Sequence, residues 1–409
     1  MLLKKEIEAV YNSQNSLLFQ KKDGIVNREL LSKMNDMKSH IEILSGIRRC
    51  GKSTLMHQLI QNNYKSTAFL NFEEPQLFNF DINDFGKLLE VMGQNKDAYF
   101  FDEIQIVDGW EIFIRSLHDK NKKIFVTGSN ASMLSSELGT RLTGRYVQRE
   151  LFPFSYSEFL NFMNYQDNDV NFLDYMTKGG FPEYLNQNEN EILYQLYRDI
   201  LFRDIVVRYK VKNSYELEEI SLYLLSNIAK EITFNSIKKF LKIASTTTVS
   251  NYISWLQDSY LIFLVPRFSY SAKSILLNPK KVYAIDNGLV NSITLSKSQD
   301  SGRLLENLIF LHFRKTNLSI YYFRNNGECD FILFDNKEFV SAVQVCINVN
   351  SDNKAREING IVEALNFFNK NSGIIVTLNQ EDEIIEDNKK IKLIPVRKFL
   401  QTDFRNLFQ

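Results

Sequence analysis

The sequence has 409 residues, of which 44% are hydrophobic and 24% are charged, and these values are typical of a globular protein. At roughly 100–200 residues per domain, this length predicts more than one domain. The 49 Lys and Arg residues balance the 49 Asp and Glu residues. This balance excludes a protein that overall charge draws to nucleic acid or membrane, so any basic surface must be local.

The cysteines and the N-terminus indicate the cellular compartment in which the protein is expected. Cys50, Cys329 and Cys346 show neither a disulfide pattern nor metal-ligand spacing. The first residues, MLLKKEIEAVYNSQNS, lack the apolar core of a signal peptide, and no apolar run approaches the roughly 18–20 residues that cross a bilayer. We therefore expect a reduced, cytoplasmic protein with no membrane partner.

The segment GIRRCGKST at 46–54 follows the apolar run IEIL and precedes an amphipathic helix. It satisfies the pattern G-x-x-x-x-G-K-[ST], in which glycines let backbone N–H groups face a phosphate beside a helix N-terminus. Lys52 would reach the β- and γ-phosphates, and the Ser53 hydroxyl would bind Mg²⁺. The predicted nucleotide contacts are Gly46, Ile47, Arg48, Arg49, Cys50, Gly51, Lys52, Ser53 and Thr54.

A second acidic motif follows about 50 residues later in DAYFFDEIQ, where an apolar strand ends in Asp102 and Glu103. A carboxylate at that position can hold Mg²⁺, and its neighbour can act as general base toward the attacking water. Alone the motif is weak, but together with the phosphate loop it predicts a site that hydrolyses ATP with Mg²⁺.

A third predicted strand, KKIFVTGS, ends near Ser129 and Asn130. A polar side chain there would lie between the two motifs and orient water or the γ-phosphate; Ser129 is the first choice, and a loop that caps the next helix is the alternative. Downstream, Arg141 or Arg145 could stabilise transferred-phosphate charge in its own site or in a neighbour's, which would require a homo-oligomer. The alternative is that both arginines are solvated.

Strand and helix patterns alternate through residue 151, which predicts βαβ units and a parallel sheet with the ligand at the carboxyl ends of its strands. Together the runs GIRRCGKST, FFDEIQ, VTGSNA, LTGRYVQREL and PFSYSEF resemble bacterial and archaeal AAA-type ATPases of the origin-recognition/STAND-like branch. The resemblance extends over essentially the whole chain. It implies ATP and Mg²⁺ but no named cellular role.

The following segment, 152–213, is predicted to be a helical lid. In proteins of the resembled class a Gly-x-Pro element packs its proline on the adenine, and Gly180, Phe181 and Pro182 match it. An ordinary helix stop is the alternative.

Residues 214–296 are predicted to hold a winged helix: two helices, then two strands that flank a lysine-bearing tip. Between residues 230 and 285 there are eight cations and two anions, which favours contact with DNA phosphates. A winged helix that binds protein is the alternative. The candidate DNA contacts are Lys238, Lys239, Lys242, Thr247, Asn251, Lys273, Lys280 and Lys281.

Residues 297–409 resemble the core of restriction-endonuclease-like nucleases, whose metal site takes a helix glutamate, a strand aspartate and an acid-x-lysine. Glu306 and Asp330 match the first two. Gln344 replaces the acid and Cys346 replaces the lysine, so the site lacks a charge and its cation, and we expect no cleavage. The domain is therefore interpreted as a degenerate scaffold.

The predicted fold is α/β: a P-loop AAA-type parallel sheet core (1–151), a helical lid, a winged helix and a C-terminal restriction-endonuclease-like α/β domain. The predicted function is an Mg²⁺-dependent ATPase that switches conformation or assembly at DNA. Two alternatives are an ATP-gated nuclease and a signalling or toxin-linked switch ATPase that contacts protein only.

Overall fold

A computed structural model describes residues 1–18, 24–34, 39–131, 142, 144–294 and 301–402. The chain divides into two compact units, the first formed by Met1–Phe154 with Asp258–Tyr260 and the second by Ser155–Gln257 with Leu261–Gln409. The finer division into four domains stays a prediction.

The first unit is built on a parallel sheet with the strand order β2-β3-β4-β1-β5. The strands are β1 Ile41–Ser45, β2 Thr67–Asn71, β3 Ala98–Asp102, β4 Ile124–Gly128 and β5 Tyr146–Glu150. Four of them are short apolar runs that are buried along nearly their whole length, as expected where both faces of a parallel sheet are covered. The α/β class and the parallel sheet predicted from the sequence are confirmed.

The helices of the first unit begin where polar or glycine residues interrupt the apolar strands. They are α1 Lys4–Leu17, α2 Lys52–Asn63, α3 Phe85–Met92 and α4 Trp110–His118, with 3₁₀ turns at Glu29–Lys33, Pro75–Leu77, Ile82–Asp84 and Ile104–Ile106. Because β4 lies between β1 and β3, the segments that follow Ser45, Asp102 and Gly128 leave the sheet side by side at its carboxyl edge. This edge is where ligands bind in open α/β sheets.

The second unit begins with helices, as predicted for the lid. These are α5 Tyr156–Met163, α6 Asp169–Lys178, α7 Pro182–Gln187, α8 Asn190–Asp199, a π-helical segment Ile200–Val207 and α9 Ser214–Leu225. None of the helices in the described ranges combines the length and the apolar character needed to cross a membrane.

A small antiparallel sheet in the order β6-β8-β7 follows, and four helices accompany it. The elements are β6 Glu231–Ile232, α10 Phe234–Phe240, α11 Thr246–Asp258, β7 Ile262–Pro266, α12 Ala272–Leu277, β8 Lys280–Ala284 and α13 Asn287–Ile293. Ser245 accepts a hydrogen bond from the backbone N–H of Thr248 at 3.0 Å and so caps the N-terminus of α11. The tip between β7 and β8 contains a helix, which the sequence analysis did not predict. The winged-helix assignment stays a prediction.

The C-terminal part is a six-stranded sheet in the order β13-β14-β12-β11-β10-β9. Its elements are α14 Ser301–Arg314, β9 Ser319–Arg324, β10 Glu328–Asp335, β11 Glu338–Val345, α15 Lys354–Phe367, β12 Ser372–Thr377, β13 Asp382–Glu386, β14 Lys389–Pro395 and α16 Val396–Gln401. The nuclease-like assignment of this sheet stays a prediction.

Candidate nucleotide site and acidic cluster

The phosphate loop depends on its two glycines. A Cβ on Gly46 would lie 2.2 Å from the carbonyl oxygen of Leu151, so a side chain is sterically excluded. Gly51 has φ 101° and is the N-cap of α2. In that left-handed region glycine is favoured, and the loop can turn its N–H groups toward the helix N-terminus.

Lys52 is 5% exposed and lies inside the loop that it follows. Its Nζ donates hydrogen bonds to the carbonyl oxygens of Gly46 at 3.0 Å and Ile47 at 3.1 Å, and it lies 3.5 Å from Oε1 of Glu103. Burial lowers the pKa of Lys52, but nearby anionic groups, led by Glu103, outweigh it and leave the pKa raised. The side chain is therefore an ammonium, held mainly by neutral carbonyls.

Asp102 is fully buried at the end of β3 and is held by two hydroxyl groups. Ser53 Oγ donates to Asp102 Oδ2 at 2.6 Å, and the Thr127 hydroxyl donates to Oδ1. Burial, with the charge of Glu103, raises the pKa of Asp102 to about 6. The Ser53 hydroxyl and the Asp102 carboxylate are hard oxygen ligands side by side, which fits Mg²⁺.

Glu103 leaves the strand in a left-handed conformation, with φ 53°, and is 8% exposed. Its Oε2 accepts hydrogen bonds from Gln105 Nε2 and from the backbone N–H of Ser129 at 3.2 Å. Burial raises the pKa of Glu103, but Lys52 and these donors outweigh it and leave the pKa lowered. The carboxylate is ionised and can accept a proton.

Ser129 and Asn130 lie at the end of β4, between the phosphate loop and the Asp102–Glu103 motif, and each is 2% exposed. Both residues therefore lie where a polar side chain was expected between the two motifs. Ser129 contacts Glu103 through its backbone N–H, so a role for the Ser129 side chain stays a prediction.

The arginine prediction must be corrected for the chain's own site. Arg145 precedes β5, and its carbonyl oxygen accepts a hydrogen bond from the N–H of Ile41, at the start of β1. Because β1 and β5 are parallel, Arg145 lies at the amino edge of the sheet, opposite the phosphate loop. Its guanidinium pairs with Asp119 at 2.8 Å. Arg141 lies outside the described residues.

The sequence did not predict the contacts that three residues of the first unit make. Thr127 bridges the acidic motif, since its hydroxyl also accepts a hydrogen bond from the N–H of Glu103 at 3.0 Å. The buried Arg28 donates to the carbonyl oxygens of Cys50 at 2.7 Å and Phe152 at 2.6 Å, which ties the loop to the chain after β5. Arg48 pairs with Glu73 at 2.9 Å. Only Thr127 carried a sequence signal, because it ends an apolar strand next to the expected site.

The Gly180–Pro182 element belongs to the second unit. The N–H of Gly180 donates to Asp286 Oδ2 at 2.7 Å, and Pro182 begins α7. Burial raises the pKa of Asp286 to about 6. A stacking contact of Pro182 with adenine stays a prediction.

The candidate DNA contacts differ in how exposed they are to solvent. Exposed members are Lys239, Lys242, Thr247, Asn251 and Lys273, whereas Lys238 and Lys280 are half-buried. Lys281 is 1% exposed, so its prediction as a DNA contact is wrong. Successive side chains on β8 point to opposite faces, and that of Lys281 points inward.

Lys281 lies in an acidic cluster formed by Glu306, Glu328 and Asp330. Its Nζ lies 3.0 Å from Glu306 Oε1, 2.7 Å from Glu328 Oε1 and 2.7 Å from Asp330 Oδ1. The structure thus brings Glu306 and Asp330 together, as predicted. It also contradicts the expectation that this site lacks a lysine, because β8 supplies one where β11 does not.

Gln344 occupies the position expected for a third acid, and each end of its amide group makes a hydrogen bond. Its Oε1 accepts from the N–H of Asp330 at 3.1 Å, and its Nε2 donates to Glu357 at 2.7 Å. In the described part of the chain, no group of three or more His, Cys, Asp or Glu side chains is arranged to hold a metal ion.

Comparisons with known proteins agree with the first unit's geometry. Residues 38–160 match the family described as AAA domain, and residues 170–300 match a domain of unknown function, DUF8612. An uncharacterized protein of Methanocaldococcus jannaschii is 36% identical, covering 95% of this chain and 94% of its own. One of Haemophilus influenzae is 31% identical, covering 71% and 79%.

Solved structures give weaker likenesses. A Pyrococcus horikoshii STAND signal-transduction ATPase with a tetratricopeptide-repeat sensor has a TM-score of 0.30 at 14% identity, covering 73% of this chain and 47% of that one. The Aeropyrum pernix ORC1 protein in complex with DNA has a TM-score of 0.31 at 12% identity, covering 71% and 91%. Scores this low carry no argument about this chain.

Proposed function

Because the chain belongs to the family of AAA-domain proteins that includes these Methanocaldococcus and Haemophilus relatives, we propose that it is an Mg²⁺-dependent ATPase. Its nucleotide cycle would switch a conformation or an assembly at DNA. One observation carries the ATPase proposal: Lys52, Ser53, Asp102 and Glu103 converge at the carboxyl edge of a single parallel sheet.

The residues divide the work of phosphoryl transfer. The loop N–H groups and the α2 N-terminus would hold the phosphates, and the Lys52 ammonium would leave the carbonyl oxygens of Gly46 and Ile47 for the β- and γ-phosphates. Ser53 and Asp102 would hold Mg²⁺, which when bound neutralises phosphate charge. Glu103, already ionised, would take the proton of the attacking water.

The test measures ATP binding and phosphate release for wild type and Lys52→Ala, with Lys65→Ala as the matched control because Lys65 is an exposed lysine of the same unit. We expect Lys52→Ala to abolish turnover and weaken binding, because the phosphates lose their buried cation. Lys65→Ala should behave as wild type. Turnover in Lys52→Ala equal to that of both proteins would remove the site from this loop.

The DNA part of the proposal depends on local charge. Residues 230–285 carry eight cations and two anions. Lys281 is occupied by the acidic cluster, but the exposed Lys239, Lys242 and Lys273 remain on or between the helices of this region. Lysines that neutralise phosphates release counterions, so binding should weaken steeply as salt increases.

Fluorescence anisotropy with double- and single-stranded oligonucleotides over a salt series tests this contact. Changing Lys238, Lys239 and Lys242 together to Ser should weaken binding and flatten the salt slope. The matched control changes Lys390, Lys392 and Lys398, exposed lysines of the same unit. Equal isotherms for both triple variants and wild type would contradict the contact, and no salt-dependent binding at all would favour a switch ATPase that contacts protein only.

A further inference from the structure

The acidic cluster of the second unit has an internal cation at its centre. The Lys281 ammonium has three N–H donors, and three carboxylate oxygens lie within 3.0 Å of its Nζ, one each from Glu306, Glu328 and Asp330. The side chain is 1% exposed. The Tyr283 hydroxyl also donates to Glu306 Oε1, at 2.7 Å.

The position of this ammonium conflicts with metal binding by the same carboxylates. A divalent ion held by Glu306 and Asp330 would need the oxygens that Nζ already contacts, and it would lie against a positive charge. Asp330 Oδ2 is also engaged, because it accepts a hydrogen bond from the N–H of Val345 at 2.9 Å. The residues therefore do not fit a metal while Lys281 is present.

Burial alone does not keep divalent ions away from these carboxylates. Glu306, Glu328, Asp330 and Gln344 line a cavity of about 1210 Å³ that is partly open to solvent, so ions can reach the carboxylates. We propose that the Lys281 ammonium is a built-in replacement for a divalent metal, which supplies positive charge to this site and makes the C-terminal part a scaffold that works without metal.

The proposal predicts what happens when the ammonium is removed. Lys281→Met keeps much of the length of the side chain but removes its positive charge, so that Mn²⁺, which prefers oxygen ligands, can take the place of the ammonium between Glu306 and Asp330. Lys281→Arg keeps the charge and should not create the site. All proteins would carry Asp102→Asn and be free of nucleotide, so that the phosphate-loop site does not contribute.

Mn²⁺ uptake is measured by electron paramagnetic resonance and by thermal unfolding. We expect wild type and Asp330→Asn to take up equal Mn²⁺, and Lys281→Met to gain about one ion per chain with an upward shift in melting temperature. This gain should disappear in Lys281→Met/Asp330→Asn. Uptake by wild type that Asp330→Asn removes would overturn the proposal, and so would a folded Lys281→Met that gains none.

If Lys281→Met does not fold, the comparison of wild type with Asp330→Asn still decides the matter. DNA cleavage provides a second readout: with Mg²⁺ or Mn²⁺, with or without ATP, wild type should cleave neither plasmid nor oligonucleotide. Cleavage that disappears in Asp330→Ala would overturn the proposal, because it would require a working metal site.

A second inference concerns Gln105 and rests on the proposed ATPase function. Gln105 lies in the 3₁₀ turn Ile104–Ile106, and its Nε2 donates to Glu103 Oε2. Its own Oε1 is buried and, among the described residues, has no hydrogen-bond partner. We infer that Gln105 is a positioning residue that fixes the Glu103 carboxylate and offers Oε1 to the attacking water.

The pH–rate profile separates this role from a merely structural one. A hydrogen bond to a charged group contributes about 1.5–3 kcal/mol, so Gln105→Ala should lower kcat by about 10- to 100-fold with KM unchanged. Loss of the donor should also move the acid limb of the profile to higher pH. Gln105→Asn should recover part of both, and Gln76→Ala, at an exposed glutamine of the same unit, should match wild type.

The outcomes distinguish the two claims. If wild type hydrolyses ATP and Gln105→Ala has the same kcat and pH profile, the positioning role is wrong while the ATPase stands. If wild type releases no more phosphate than Lys52→Ala, the proposed function falls and the role of Gln105 falls with it.

Discussion

Each compact unit buries a lysine ammonium beside carboxylates, but the two lysines are held differently. Lys52 donates to two backbone carbonyls and lies 3.5 Å from one carboxylate, that of Glu103. Lys281 lies within 3.0 Å of three carboxylates. Neutral carbonyls give up an ammonium more readily than carboxylates do, because a charged partner makes the stronger hydrogen bond.

This difference follows from where each lysine is placed. Lys52 opens a helix after a glycine loop at the edge of a sheet, whereas Lys281 lies within β8 and faces α14 and β10. A buried cation beside neutral acceptors is available to an anionic ligand. One that is surrounded by carboxylates forms internal ion pairs instead, so similar residue types leave the lysine available to a ligand in one unit and hold it in ion pairs in the other.

The sharpest test of the contrast changes one carboxylate in each unit. Glu103→Gln should bind ATP but hydrolyse it about 10²–10⁴-fold more slowly, because it loses the general base and keeps the shape. Glu306→Gln, the matched change in the acidic cluster, should leave turnover at the wild-type rate. Phosphate release under saturating ATP measures both, and equal turnover in the two variants would make Glu103 structural.

The stabilities of the lysine variants should show the opposite order. Without metal, Lys281→Met should destabilise the second unit by about 3–5 kcal/mol, because the buried Glu306 and Asp330 lose their counter-charge, whereas the half-buried Glu328 keeps its ion pair with Arg324. Lys52→Met should change the stability of the first unit by about 1 kcal/mol or less, since Glu103 keeps the donors of Gln105 and Ser129.

Urea unfolding can separate the two units because the chain has two tryptophans, Trp110 in the first unit and Trp255 in the second. In a Trp110→Phe background, Trp255 fluorescence follows the second unit alone. A Lys281→Met protein that unfolds at the wild-type urea concentration would show that the acidic cluster contributes little.

A smaller effect is expected from the buried His312, which should make the stability of the second unit sensitive to acid. Burial lowers the pKa of His312 to about 4, and the ring packs against Phe399. Between pH 6.5 and 4 the unfolded chain binds the proton more strongly, so this histidine removes stability as the pH falls, by up to about 3 kcal/mol. His312→Phe should remove that part of the slope, which the difference between the two proteins isolates. Parallel pH curves would contradict the assignment.

The smallest expected effect belongs to Arg145. Its ion pair with Asp119 is half-exposed, so Arg145→Ala should cost about 1 kcal/mol or less and leave ATP turnover unchanged at low protein concentration. Lys120→Ala, at an exposed residue near the same edge, serves as control. A fall in turnover that depends on protein concentration would instead place Arg145 in a neighbouring subunit's site.

The sequence alone was enough to predict the parallel sheet of the first unit, and it located the phosphate loop and the acidic motif that this sheet brings together. Four of the five parallel strands of the first unit are short apolar runs, and the phosphate loop is a glycine pattern of eight residues. Both signals are local, since steric freedom at Gly46 and Gly51 and burial of consecutive apolar side chains depend little on distant chain. Asp102 and Glu103 were found because they end such a run.

Only the tertiary structure decided which side chains meet across long separations. The sheet order places Thr127 against Asp102. It also places Arg145 at the amino edge of the sheet, opposite the phosphate loop of the same chain. Lys281 is one of eight cations in a basic segment, and its charge gave no sign that it is buried. Its environment is set by acids 25 to 49 residues further along the chain. The sequence specifies each residue type, but strand pairing and packing determine which face of β8 meets those acids.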